Sequence, residues 1–168
     1  NEETVKAFVS ISNFDQDKFL IMTTKRGIVK KTKLEEYSRP RTNGIIAINL
    51  KNDDELISVN PSSGDDEILI STRMGQAIRF SENKVRSVSR NSMGVKGISL
   101  KKDDYVVSSE VIKNKNSQIL TVTENGFGKR TQIEKYRLTS RGGKGIITLK
   151  ITEKTGEIVN AFQTDNDS

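Results

Sequence analysis

The chain contains no cysteine, no tryptophan and no histidine, and only two prolines in 168 residues. Each absence removes a class of function. Without cysteine there is no disulfide framework and no thiolate metal site, a composition compatible with a reducing cytoplasm. Without histidine or cysteine, Ser-His and Cys-His arrangements are impossible, however abundant serine and threonine are. A chain lacking both tryptophan and histidine cannot carry the WD40 signature. Long apolar runs are missing too. None approaches the ~18 residues of a membrane span, and the opening NEETVKAFV lacks a signal-peptide layout. A hydrophobic content of 33% suits a thin β architecture with much exposed surface better than one thick core.

What the chain does have is a repeat. From Ser117 to Ala161 it runs QILTVT, a turn at Asn125-Gly126, the basic Gly128-Lys129-Arg130-Thr131, Tyr136, SRGGKG over 140–145, IITLKI, a polar turn and EIVNAF. The same order precedes it from Asp66 (EILIST, Gly75, Ile78-Arg79-Phe80, RNSMGVKG, ISL, a KKDD turn, YVVSS) and again from Asp17 (KFLIMTT, Gly27, VKKT, Tyr37, RPRTNG, IIAINL, a KNDDE turn, LISVN). Gly27, Gly75 and Gly126, and likewise Gly44, Gly94 and Gly145, recur at roughly 50 residues, the length of a propeller blade.

Repeats are expected over 17–60, 66–111 and 117–162, each with four short strands, in the first at about 18–24, 28–32, 45–50 and 55–60. Short, evenly spaced strands with turn signals predict an all-β, propeller-like array forming part of a ring. Val5, Ala7, Val9 and Ile11 alternate with polar neighbours apart from Phe8, so residues 1–16 read as the closing strand of a preceding blade. The loops 62–66 and 113–117 fall between blades.

Charge follows the repeat. Residues 24–41, 72–97 and 123–145 hold 19 basic against five acidic residues, a balance of +14, while the rest of the chain stands at −8, giving the net +6. Basic strands can simply suppress edge pairing. The sharper reading is that stacked blades align their basic segments into a stripe, and with few aromatics such a stripe suits duplex phosphates rather than stacked single-stranded bases.

Other constellations read as structural. The acidic groups 53–55, 65–67 and 103–104 sit at blade turns without calcium-loop spacing. Tyr37 and Tyr136 share a column with Val85, which marks packing rather than a nucleophile. GFGKRT lacks the spacing of a phosphate-binding loop and precedes no helix.

TTKRGIVKKT…RTNG over 23–44, GVKGISL over 94–100 and ENGFGKRT over 124–131 resemble the C-terminal DNA-wrapping domain of the bacterial DNA gyrase A protein, along essentially the whole chain. The related topoisomerase IV domain is similar but more degenerate. The resemblance implies a β-pinwheel, in which each blade lends a strand to its neighbour, and a basic rim that bends duplex DNA in support of negative supercoiling. It implies partners in double-stranded DNA, the rest of the gyrase A protein and the gyrase B protein, no membrane, and a bacterial cytoplasmic, nucleoid-associated location. No catalytic site and no cofactor are expected in this chain; ATP and Mg²⁺ would act elsewhere in the holoenzyme. Two departures stand out. Complete domains of the family usually carry six blades, and the hallmark box QRRGGKG has its nearest match here in TSRGGKG, over 139–145 of the last repeat.

Phosphate contacts are accordingly expected from Lys30, Lys31, Arg39 and Arg41, from Arg79, Arg86, Arg90 and Lys96, and from Lys129, Arg130, Arg137, Arg141 and Lys144. The rival reading is a propeller-type interaction module whose basic face takes an acidic protein.

Overall fold

The computed structural model describes residues 4–15 and 17–165. Among the described residues eleven strands run in chain order, and three sheets form from them. The first repeat supplies β1 (Phe19–Thr24), β2 (Ile28–Lys33) and β3 (Leu56–Ser62). The second supplies β4 (Glu67–Thr72), β5 (Gln76–Ser81), β6 (Val95–Lys96) and β7 (Val106–Ile112). The third supplies β8 (Gln118–Thr123), β9 (Gly128–Gln132), β10 (Ile146–Ile147) and β11 (Ile158–Thr164).

Each repeat opens with an antiparallel hairpin, β1–β2, β4–β5 or β8–β9. The closing strands β3, β7 and β11 return to the other side of β1, β4 and β8, each slipping register by a bulge near the turn. The fourth strand is not the repeat's own. β6 pairs with β2 and β10 pairs with β5, so the sheet orders are β3-β1-β2-β6, β7-β4-β5-β10 and β11-β8-β9. This is the strand exchange that the resemblance implies.

Exchange also explains a difference from the sequence reading. Residues 45–50, expected as a strand, form none. They occupy the position of β6 and β10, and a two- or three-residue strand exists only while a neighbouring edge satisfies its backbone groups. The second strand of a preceding repeat would be that edge, and it is not among the described residues. Residues 4–15 likewise form no strand where a closing strand was expected; Val9 and Ile11 pack instead beside Leu20, Met22 and Leu34.

The cores lie between sheets rather than within them. Ile21 and Val29 meet Ile68, Ile70, Ile78 and Phe80 at the first junction, and Ile98 seals it. Leu69, Ala77 and Ile112 meet Ile119, Ile133 and Tyr136 at the second. Alternate side chains of one strand therefore serve different junctions, as a period of two requires. β4, with a repeat on either side, is buried at all six positions, whereas β8 alternates buried and half-buried. Each fully buried Ile, Leu or Phe contributes about 1.5–3 kcal/mol. The closing strands lie side by side at the opposite end of the sheets from the exchanged strands. Asn60 Nδ2 donates to the Ser109 carbonyl at 2.9 Å, and Gln163 Nε2 donates to Glu110 Oε2 at 3.0 Å.

Candidate nucleic-acid interface

The loops that carry the strand exchange form a ridge along the outer edges of the sheets. From the second repeat, the Val88 amide donates to the Lys31 carbonyl and the Gly97 amide to the Gly27 carbonyl. From the third, the Thr139 amide donates to the Arg79 carbonyl and the Thr148 amide to the Gly75 carbonyl. Consecutive loops are also bonded to each other. The Asn49 amide donates to the Ser92 carbonyl at 3.3 Å, the Gly142 amide to the Gly97 carbonyl at 2.7 Å and the Ser99 amide to the Gly143 carbonyl at 2.8 Å. The ridge is thus continuous across the three repeats.

Eight of the thirteen expected basic residues are exposed on this ridge or on the β9 hairpin beside it: Arg39, Arg41, Arg86, Lys96, Lys129, Arg130, Arg137 and Lys144. Lys129 also donates to the Thr148 carbonyl at 2.9 Å, a tether that leaves the residue accessible.

Three expected contacts are internal instead. Lys30 is only 1% exposed, and its ammonium donates to the carbonyls of Ala47 and Arg90. Burial lowers its pKa to about 8, Glu36 pulling it back up and Arg90 pushing it further down. Lys31, 5% exposed, sits 3.1 Å from Glu82 Oε2 and over the Phe19 ring. Arg79 forks onto Glu67 and donates to the carbonyls of Ile133 and Tyr136 in the next repeat. Burial pushes the Glu67 carboxyl up, but hydrogen bonds from Arg79 and Lys115 outweigh it and hold the group below the ordinary range. The reason is common to all three: the following repeat packs over the strand that carries them, and a buried cation persists only when fully partnered.

Arg90 and Arg141 are half-buried and share one task. Arg90 Nη1 donates to the Ile46 carbonyl at 2.5 Å, and Arg141 Nη1 to the Lys96 carbonyl at 3.0 Å. Both carbonyls lie at the same place in the preceding repeat's loop. Arg141 adds the Lys84 carbonyl, and the Arg90 amide adds Glu36. The arginine of the SRGGKG segment is therefore first a staple between consecutive loops.

Sequence reasoning missed Glu82 and read Glu67 as a turn residue, whereas Glu67 opens β4 and holds Arg79. Glu82 is fully buried, accepting from Lys31, Ser62 Oγ and the Asp66 amide. It stands in the column of Leu34 and Ile133, both buried apolar residues, and an acid in an apolar column was the available signal. The acidic turns behave as expected of turns. Asp54 Oδ1 accepts from the amides of Arg26 and Glu55, and Asp104 Oδ1 from those of Met74 and Tyr105. Tyr37 and Tyr136 use their hydroxyls to hold Ala47 and Thr148. Among the described residues, no group of three or more His, Cys, Asp or Glu is placed to hold a metal ion, and no helix is long and apolar enough to cross a membrane.

Repeated sheets that trade strands, sealed between neighbours and bordered by a ridge of basic loops, define a propeller-type repeat domain. Comparison with known proteins narrows that class. The chain belongs to the family described as DNA gyrase C-terminal domain, beta-propeller, whose model matches residues 18–63, 66–113 and 117–165. It is 47% identical over 161 residues to the DNA gyrase A protein of Staphylococcus epidermidis, covering 95% of this chain and 18% of that protein. Against the DNA gyrase A protein of Salmonella typhimurium it is 44% identical over 164 residues, covering 98% and 19%. The chain thus spans about a fifth of the length of these relatives. A solved DNA gyrase A C-terminal domain superposes with a TM-score of 0.85 at 28% identity, covering 95% of this chain and 53% of that one. A crystal structure of the C-terminal domain of DNA topoisomerase IV gives 0.86 at 30% identity, covering 93% and 49%.

Proposed function

We propose that this chain binds duplex DNA through its phosphates along the loop ridge and bends it there, without reading sequence, as part of the DNA-wrapping region of a bacterial gyrase. The observation that carries the reading is the ridge itself, a continuous, hydrogen-bonded track that together with the β9 hairpin beside it exposes eight arginines and lysines. Arginine fork and lysine point charge both suit phosphate oxygens. A chain with only 5% aromatic residues suits phosphates better than stacked bases, and phosphate contacts carry no base information. Strand exchange makes the track stiff, as it must be if contacts are to offset the ~1–6 kcal/mol of bending a short duplex by 40–90°. In the whole protein this bending would serve negative supercoiling, with strand passage and ATP hydrolysis performed by other parts of the gyrase A protein and by the gyrase B protein in the cytoplasm.

Anisotropy titration of a ~30-bp duplex against salt tests the reading. If six to eight cations neutralise phosphates, the log–log slope is about −5 to −7, and duplexes of unrelated sequence bind within a few-fold of each other. A slope near zero, or one sequence bound ~10³-fold tighter than the rest, would overturn it.

A further inference from the structure

A string of side chains crosses all three repeats at the turn ends of the hairpins. In the first joint, Lys25, just past β1, sets its Nζ 4.9 Å from the centre of the Tyr105 ring of the second repeat, and its carbonyl accepts the Val106 amide at 2.9 Å. Arg73, the equivalent residue past β4, shares that ring, its guanidinium carbon 4.6 Å from the centre. In the second joint, Arg73 Nη1 reaches Glu157 Oε2 of the third repeat at 2.9 Å, and its carbonyl accepts the Ile158 amide at 2.9 Å. Arg73 Nη2 donates to the Asp103 carbonyl at 2.7 Å, which ties the fork to the acidic turn of its own repeat. Lys25, Tyr105, Arg73 and Glu157 thus connect the repeats without a gap, and both joints lie wholly within the chain.

We propose that Arg73 and Tyr105 are positioning residues that lock the tilt between successive repeats and so set the curvature of the duplex path along the ridge. The inference rests on the ridge being the duplex-binding surface. The Lys25, Arg73 and Glu157 side chains keep 37%, 26% and 34% of their exposure, and contacts so exposed add little stability each. What they fix is orientation. Toward the open end of the hairpins, each joint is already pinned, by Lys31 on Glu82 in the first and by Arg79 on the Ile133 and Tyr136 carbonyls in the second. A joint pinned at one end can pivot; pinned at both ends, it holds one tilt. In a repeat array, the small rotation from one repeat to the next sets the curvature of the surface they present. Arginine suits the place because its fork holds Glu157, the Asp103 carbonyl and the Tyr105 ring at once, which a point charge cannot do.

Two measurements test this. Because the chain has no cysteine, Asn52→Cys and Glu153→Cys together place spin labels on exposed turns of the first and third repeats. The distribution of distances between the labels is expected to broaden and lengthen when Arg73→Gln or Tyr105→Leu is added. Tyr105→Phe, which keeps the ring, should leave it unchanged. Each variant is measured well below its own melting temperature, so that unfolding does not scatter the labels. The second measurement uses DNA. Neither substitution removes a cation of the ridge, so both variants are expected to bind a ~12-bp duplex within about twofold of the wild-type chain. A ~40-bp duplex labelled at both ends for energy transfer should be bent less by both and bound at least ~5-fold more weakly, because contacts along a fixed curve no longer offset the bending. A label distribution unchanged in Arg73→Gln and Tyr105→Leu overturns the proposal. So does equal loss on the short and the long duplex, which would mark a merely structural role. A wild-type chain that binds neither duplex overturns the duplex reading and the role in its path with it, while the label distances still decide whether the string locks the tilt.

Discussion

β2 and β9 carry the same chemistry and meet opposite fates. Lys30-Lys31-Thr32 and Lys129-Arg130-Thr131 occupy equivalent positions after equivalent glycine turns. Lys30 and Lys31 are buried and held by carbonyls and a carboxylate; Lys129 and Arg130 are exposed. Nothing local distinguishes them. The second repeat brings Glu82 and the Arg90 carbonyl over β2, and nothing equivalent among the described residues covers β9. A basic strand in this repeat is thus an interior element or a surface one according to its neighbour. Formal charge along the sequence overstates the number of cations facing outward.

The largest expected effect comes from breaking the covered side. Lys31→Met leaves Glu82 buried and unpaired, at a cost of about 3–5 kcal/mol. The equivalent Arg130→Met on the exposed strand should cost less than ~0.5 kcal/mol. Urea unfolding midpoints decide, and adding Glu82→Gln to Lys31→Met should recover much of the loss. Equal costs at 31 and 130 would end the comparison.

The open side should respond in binding rather than stability. Replacing Lys129 and Arg130 together by alanine should weaken duplex binding and make the salt slope shallower by about 1.8. The same substitution at Lys101 and Lys102, exposed in an acidic turn, should leave the slope unchanged. A smaller effect concerns what does the covering. Arg141→Ala removes two charged donors to backbone carbonyls and should cost about 1 kcal/mol, with Arg90→Ala similar. Arg141→Lys should not restore it, since a point charge cannot span two carbonyls as the fork does.

The smallest effect sharpens the comparison at the inner strands, where Asn60, Glu110 and Phe162 share one column and Gln163 donates across to Glu110. Burial raises the pKa of Glu110, so the folded chain binds its proton more tightly than the unfolded chain. Its contribution to stability is present at acid pH and lost as pH rises through the folded value. Glu110→Gln should therefore stabilise the protein near neutrality, with the gain shrinking toward pH ~4. A gain that persists unchanged in acid would assign the effect to packing rather than charge.

Much was legible in the sequence because the chain repeats itself. Aligned glycines, apolar runs and acidic turns located the hairpins and closing strands, and local turn chemistry and alternation do not depend on neighbours. Glu82 was legible in principle, as an acid standing where Leu34 and Ile133 stand in the other repeats. The 45–50 segment was not. Its residues read as a strand, but a strand needs an edge, and which edge it meets is a long-range fact.

By itself, then, the sequence determined a repeated all-β chain with basic segments at a fixed phase, because periodicity and residue type are local properties. Only the tertiary structure decided which of those cations face out, which arginines became staples and which repeat owns each fourth strand. All three depend on burial between sheets some 50 residues apart, where an unpaired backbone group or charge is too costly to leave and the neighbouring repeat must supply its partner.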